Sequence, residues 1–223
     1  MKAKADFHIH THNSPDGSSS ASEIIDEARR KGLDVIGVTD HNTTKGAIEV
    51  KNLAKGRPLV LVGQEVMTDG GEVIVFGMER DLAKGMGVAD TCRMAKAAGG
   101  FVVVPHPFDM SRNGVGNDMQ GLLDYIDAIE VLNARCLRNG FNRKALDFAR
   151  EHEIPVVSGS DAHFPSEIGG CFTELEIEGK LTQESVFGAI SSGRTSVSGA
   201  KSGVVPHLRT MLLKMKRKLG ISR

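Results

Sequence analysis

Short runs of apolar and β-branched residues alternate with stretches of helical period along nearly the whole chain. That alternation predicts βα units around a largely parallel sheet. Residues 4–10 alternate small or apolar with polar side chains and read as the first strand. A turn-rich segment, 13–20, leads into a helix over about 22–31, with serine at its start and Gly32 at its end. Strands are then expected at 34–39, 59–62, 101–104, 128–132, 155–157 and 174–177, with a hairpin partner at 72–77 behind a Thr-Asp-Gly-Gly turn. Helices are expected near 44–55, 88–98, 140–153 and 183–192.

The 223 residues suit a single α/β barrel, and no Pro/Ser-rich linker divides them, so one domain over 1–223 is expected. Apolar content of 40% with 25% charge is ordinary for a globular chain, and no run approaches the roughly 18 apolar residues of a membrane span. The N-terminus carries Lys2 and Lys4 and enters a strand without a signal-peptide pattern, which points to a cytoplasmic location. Cys92, Cys136 and Cys171 show no paired spacing and read as free thiols in a reducing compartment.

Formal charge is zero, but residues 209–223 hold six basic residues and no acid, leaving 22 basic against 28 acidic residues elsewhere. Leu208, Met211, Leu212, Met215 and Leu219 recur at helical spacing there. A basic amphipathic helix over about 207–219 is expected, docking its apolar face on the barrel with its charges outward. Contact with nucleic acid or membrane is the less favoured reading of that segment.

Function is written at the strand ends. His10, Asp40-His41, Glu65, His106 and Asp161-His163 all lie at or just after the carboxyl ends of successive strands, the face where β/α barrels gather their active sites. His8 and His10 are two residues apart on one strand and point the same way. Imidazoles with carboxylates at converging strand ends make a metal site. There is no Walker-type phosphate loop, no Gly-x-Ser-x-Gly elbow and no cysteine in a nucleophile motif.

The run Asp6-Phe7-His8-Ile9-His10-Thr11, the turn Ser14-Pro15-Asp16-Gly17, Val38-Thr39-Asp40-His41, Gly63-Gln64-Glu65, Pro105-His106-Pro107 and Gly159-Ser160-Asp161-Ala162-His163 occur in this order. With them the chain resembles the polymerase and histidinol phosphatase (PHP) superfamily of metal-dependent phosphoesterases over about residues 5–200. The resemblance implies a distorted seven-stranded β/α barrel with two or three divalent ions (manganese, zinc or iron) at the carboxyl ends of the strands. It implies that one metal is held by His8, His10, Glu65 and Asp161. Another is held by Asp16, His41 and His163, which also serve catalysis. Glu65 bridges to a further metal at His106. Many family members place a histidine where this chain has Ile74, so that position is left with Glu65 and His106 unless Glu130 or Asn133 completes it.

The implied activity is hydrolysis of phosphate monoesters, or of nucleotide and oligonucleotide phosphoesters, by a metal-bound hydroxide. Arg112, Arg135 and Arg138 are the candidates for binding the phosphoryl oxygens. Alternatives are a histidinol-phosphate phosphatase and a regulatory metal-binding module that has lost catalysis. His12 is read as a contact to substrate or to the outer side of a ligand, Asp6 and Asp40 as carboxylates that orient neighbouring histidines, and His152 and His207 as surface residues. No inserted domain fits between Glu65 and His106, so an open site tolerant of varied leaving groups, oligonucleotide ends included, is expected. Neither a membrane nor a stable nucleic-acid complex is expected as partner.

Overall fold

The computed structural model describes residues 1–220. Its order is β1 (Lys2–Ile9), α1 (Ala21–Arg30), β2 (Val35–Val38), α2 (Lys45–Ala54), β3 (Leu59–Met67), β4 (Glu72–Phe76), α3 (Val88–Ala97), β5 (Phe101–Val104), β6 (Ala128–Asn133), α4 (Asn139–Glu151), β7 (Val156–Gly159), β8 (Cys171–Glu176), α5 (Gln183–Ser191), β9 (Thr195–Gly199) and α6 (Val205–Lys218). Local chemistry sets these boundaries. Ser20 Oγ accepts from Glu23 N at 3.4 Å while the Glu23 carboxylate accepts from Ser20 N at 2.8 Å, and this reciprocal cap starts α1.

The strands form one sheet in the order β7-β6-β5-β4-β3-β2-β1-β8-β9, which curls into a nearly closed barrel. Across the seam, His10 N donates to Ala162 O at 2.8 Å and Ala162 N to His8 O at 3.2 Å. The expected seven strands are nine among the described residues, and the sheet is mixed: β4 runs antiparallel to both neighbours, as do β8 and β9 to theirs. β9 escaped the sequence reading because Thr-Ser-Val-Ser-Gly has a single apolar residue.

Three apolar clusters sort the strand faces. Ala5, Phe7, Leu61, Ile74, Phe76 and Val103 fill the barrel floor. Ile9, Ile36, Val38 and Val62 pack under α1 and α2, and Val73, Val75, Val102 and Val104 pack under α3. Each fully buried Val, Leu, Ile or Phe among these contributes about 1.5–3 kcal/mol. Strand parity alone would put Phe7 and Ile9 on one face. A register shift between Asp6 and Ile9 separates them, leaving Phe7 in the floor and Ile9 outside, with the His8 and His10 rings above.

α6 overturns the expected docking. Leu208, Met211, Leu212, Met215 and Leu219 are all exposed, at 52–69%. The helix lies on the barrel by its polar face: Arg135 Nη2 donates to Thr210 Oγ1 at 2.7 Å, and Arg217 donates to the carbonyls of Ser14 and Gly17 at 2.7 and 2.8 Å. The surface beneath offers carboxylate and carbonyl oxygens, and cations find partners there that an apolar face would leave unsatisfied. Among the described residues, no helix is long and apolar enough to cross a membrane.

Candidate metal centre

His8 and His10 meet ring to ring at the top of the barrel, with Nε2 atoms 3.1 Å apart and both residues buried. Their partners assign the tautomers. His8 Nδ1 donates to Glu130 Oε1 at 3.1 Å, and His10 Nδ1 donates to Ser14 Oγ at 3.0 Å, which in turn donates to Asp40 Oδ1 at 2.8 Å. In neutral rings of these tautomers both Nε2 atoms carry lone pairs, which at this distance repel unless a proton or a metal ion lies between them.

Glu65 and Asp161 complete that arrangement. Glu65 oxygens lie 3.4 Å from each Nε2, and Asp161 Oδ1 lies 3.7 Å from His8 Nε2 and 3.6 Å from His10 Nε2. Four ligands set tetrahedrally about 2.1 Å from an ion stand about 3.4 Å from one another, and the distances from the two imidazoles, 3.1–3.7 Å, are of that size. Burial opposes charge on His8, but Asp161, Glu65 and Glu130 outweigh it and hold its pKa well above the usual value. A cage that draws a proton this strongly also draws a divalent cation.

A second group adjoins the first. His163 Nε2 and His41 Nε2 lie 3.3 and 3.5 Å from Asp16 Oδ2. His163 Nδ1 donates to Asp161 O at 2.8 Å, and burial, with the His10 imidazole beside it, depresses its pKa to about 3, so it stays a neutral ligand. Burial raises the Asp16 carboxyl, yet the facing imidazoles of His163 and His41 hold it well below the usual range.

Glu65 links the groups. One of its oxygens is 3.1 Å from His106 Nε2 and the other 3.2 Å from His41 Nδ1. Ile74 pairs with Glu65 in the sheet, and its side chain lies in the barrel floor. Because β4 runs antiparallel to β3, Glu72 stands beyond Glu65 toward the mouth, opposite Met67. Its carboxylate comes within 3.8 Å of His41 Nδ1 and 3.9 Å of His106 Nε2. Burial and the charge of Glu65 raise its pKa to about 7. The sequence reading missed Glu72 because only the hairpin register brings it here.

The chemistry of this donor set fits metal ions. Asp16 Oδ1, Asp161 Oδ1 and His41 Nδ1 are buried without hydrogen-bond partners, a cost of about 1–3 kcal/mol each that bound cations would offset. Two ligands also sit on strained backbone, with φ of 30° at His106 and 55° at Asp161. His106 N donates to Glu130 Oε2 at 2.9 Å, which holds that turn.

Other expected roles change. Glu130 and Asn133 are fully engaged in orienting His8, the His106 backbone and Asp161, so neither completes a metal position. Asp6 holds backbone N–H groups of His8, Ser160 and Gly169 rather than a histidine ring, whereas Asp40 acts on His10 through Ser14. Arg112 is bound to Asp161 and Asn133, Arg135 is buried beside Glu167 and Thr210, and Arg138 is exposed at the start of α4. His12 is exposed, His152 packs against Phe148, and the half-buried His207 bonds Arg135 O at 2.9 Å. A cavity of about 230 Å³ remains, lined by Asp16, His41, Glu72, Arg112 and His163 and by α6. The expected open site is thus partly covered.

Residues 6–130 match the family model described as PHP domain, and residues 139–195 the one described as PHP-associated. An uncharacterized protein of Methanocaldococcus jannaschii, MJ1587, is 35% identical over 142 residues, covering 59% of this chain and 82% of that protein. A two-domain protein of Bacteroides vulgatus containing a predicted PHP-like metal-dependent phosphoesterase superposes with a TM-score of 0.77 at 19% identity. The alignment covers 90% of this chain and 65% of the Bacteroides protein, so the chain spans just under two thirds of that structure. PsfC of Pseudomonas syringae superposes with a TM-score of 0.72 at 20% identity, over 97% of this chain and 99% of that one. With a family match over more than half its length, on the segment that supplies His8, His10, Asp16, His41, Glu65 and His106, this chain belongs to the PHP family.

Proposed function

We propose that this chain is a metal-dependent phosphoesterase that hydrolyses small phosphomonoesters, nucleotides among them, with two or three divalent ions. One observation carries the reading: Glu65 presents its two oxygens to His8, His10, His41 and His106 at 3.1–3.4 Å, so this one carboxylate could serve more than one metal position. His8, His10, Glu65 and Asp161 would hold one ion, Asp16, His41 and His163 another, and Glu65, Glu72 and His106 a third. Bound there, such ions supply Lewis acidity toward a phosphoryl oxygen and make water nucleophilic near neutral pH. The chain's own part is to hold these donors rigid, keep His163 neutral, and set Arg112 beside the cavity. The cavity of about 230 Å³ is below the roughly 300–1,000 Å³ usual for drug-sized ligands, which favours a phosphoryl group on a small leaving group over the interior of a long chain.

The test is a phosphatase panel that includes p-nitrophenyl phosphate, run on protein reconstituted with manganese or with zinc. Turnover that disappears in Asp161→Ala is expected. Metal uptake with no turnover of any phosphoester would instead make the chain a regulatory metal-binding module.

A further inference from the structure

Three cations line the cavity in the described structure, and two of them are tied down. Arg112 is anchored on Asp161 and Asn133, and Arg135 on Thr210 beside Glu167. The third, Lys214, reaches in from α6, where it shares an inward face with His207, Thr210 and Arg217. That face is fixed at several points along the helix: His207 to Arg135 O, Thr210 to Arg135, and Arg217 to the carbonyls of Ser14 and Gly17. The Arg209 guanidinium also stacks over the Phe164 ring at 4.0 Å. Lys214 is different. Its Nζ lies 2.9 Å from Asp16 Oδ2, the oxygen that His41 and His163 also face, and its side chain is 56% exposed.

We propose that α6 is a wall of the substrate cavity and that Lys214 is a specificity-determining residue whose ammonium binds the phosphoryl oxygens of the substrate. The proposal rests on the phosphoesterase reading above. A divalent ion on Asp16 and an ammonium on the same oxygen repel, so in the loaded site the flexible lysine turns its charge toward the cavity. An ammonium has three donors and no competing acceptor of its own, and a phosphoryl dianion offers three oxygens. The anchored helix fixes where that charge stands.

The experiment compares wild type with Lys214→Met, Lys214→Gln and Lys214→Arg, all loaded with manganese. Calorimetry measures the affinity for inorganic phosphate, and p-nitrophenyl phosphate kinetics separate KM from kcat. Met and Gln are expected to weaken phosphate binding and raise KM by about tenfold, with kcat and metal content near wild type and with recovery in Arg. Wild-type phosphate affinity and KM in both neutral variants of an active enzyme would overturn the role of Lys214 and leave the phosphoesterase reading standing. A fall in kcat with KM unchanged would overturn it equally. A wild-type protein that neither turns over phosphoesters nor binds phosphate would overturn the functional reading, and this inference with it.

Discussion

Glu72 faces His106 across the mouth of the barrel, its Oε2 3.9 Å from Nε2, one layer above the Ile74 side chain that fills the floor opposite Glu65. If that carboxylate completes the metal position at His106, Glu72→Gln should lower bound metal by about one ion per chain. Elemental analysis of the purified variant measures this directly. An unchanged metal count would remove Glu72 from the ligand set.

Ions that bind only the folded chain stabilise it by mass action, about 2.7 kcal/mol at a free concentration one hundred times Kd. Chelation should therefore lower the melting temperature by several degrees, and His8→Ala, which removes a ligand from one of the metal positions, should shrink that difference. Calorimetric scans with and without EDTA test it; equal melting temperatures for the wild type would contradict a tight site.

Glu130 accepts from His8 Nδ1 with one oxygen and from His106 N and Asn133 Nδ2 with the other. Carboxylates placed behind a ligating histidine are typically worth about 10–100-fold in metal affinity. Glu130→Gln should weaken binding by that range in competition with a chromophoric chelator while the fold survives. Wild-type affinity would mean that His8 is held by packing alone.

Gly159 ends β7 directly behind His8. A Cβ there would stand 2.3 Å from His8 Cβ and 2.5 Å from Glu130 Oε1. Gly159→Ala should cost about 1–3 kcal/mol in urea denaturation and weaken metal binding with it, because the strand must retreat from the ligand. Full stability would show that the backbone yields easily at this point.

Burial pushes the Cys92 and Cys171 thiols up to about 12, and Cys136 is raised as well. Ellman's reagent at pH 8 should label none of them in the folded chain and all three once it is denatured. The linkage has a definite sign. Above about pH 8.5 the unfolded thiols lose protons that the folded ones keep, so their contribution to stability is full below that pH and falls as pH rises toward 12. Denaturation curves that strengthen between pH 8 and 10 would contradict it.

Much of the site was legible before the fold was known, for a physical reason. A metal ligand at the end of a strand needs only a short motif to place it, and His8, His10, His41, Glu65, His106, Asp161 and His163 all lie in such motifs and meet in space. What the motifs left out depends on distant pairing. Glu72 enters through the β3–β4 register, Glu130 acts through a neighbouring strand, and Arg112 is drawn to Asp161 although its sequence position suggested a free phosphate contact.

Motifs read along the chain are enough to locate the candidate metal ligands at strand ends and a two-faced helix near residues 207–219. Which face of that helix meets the protein is a matter of the fold. Periodicity separates an apolar stripe from a basic one but carries no information about the surface waiting beneath. Here that surface holds Asp16 and the carbonyls of Ser14 and Gly17, so the basic face turns inward and the apolar stripe is left outside.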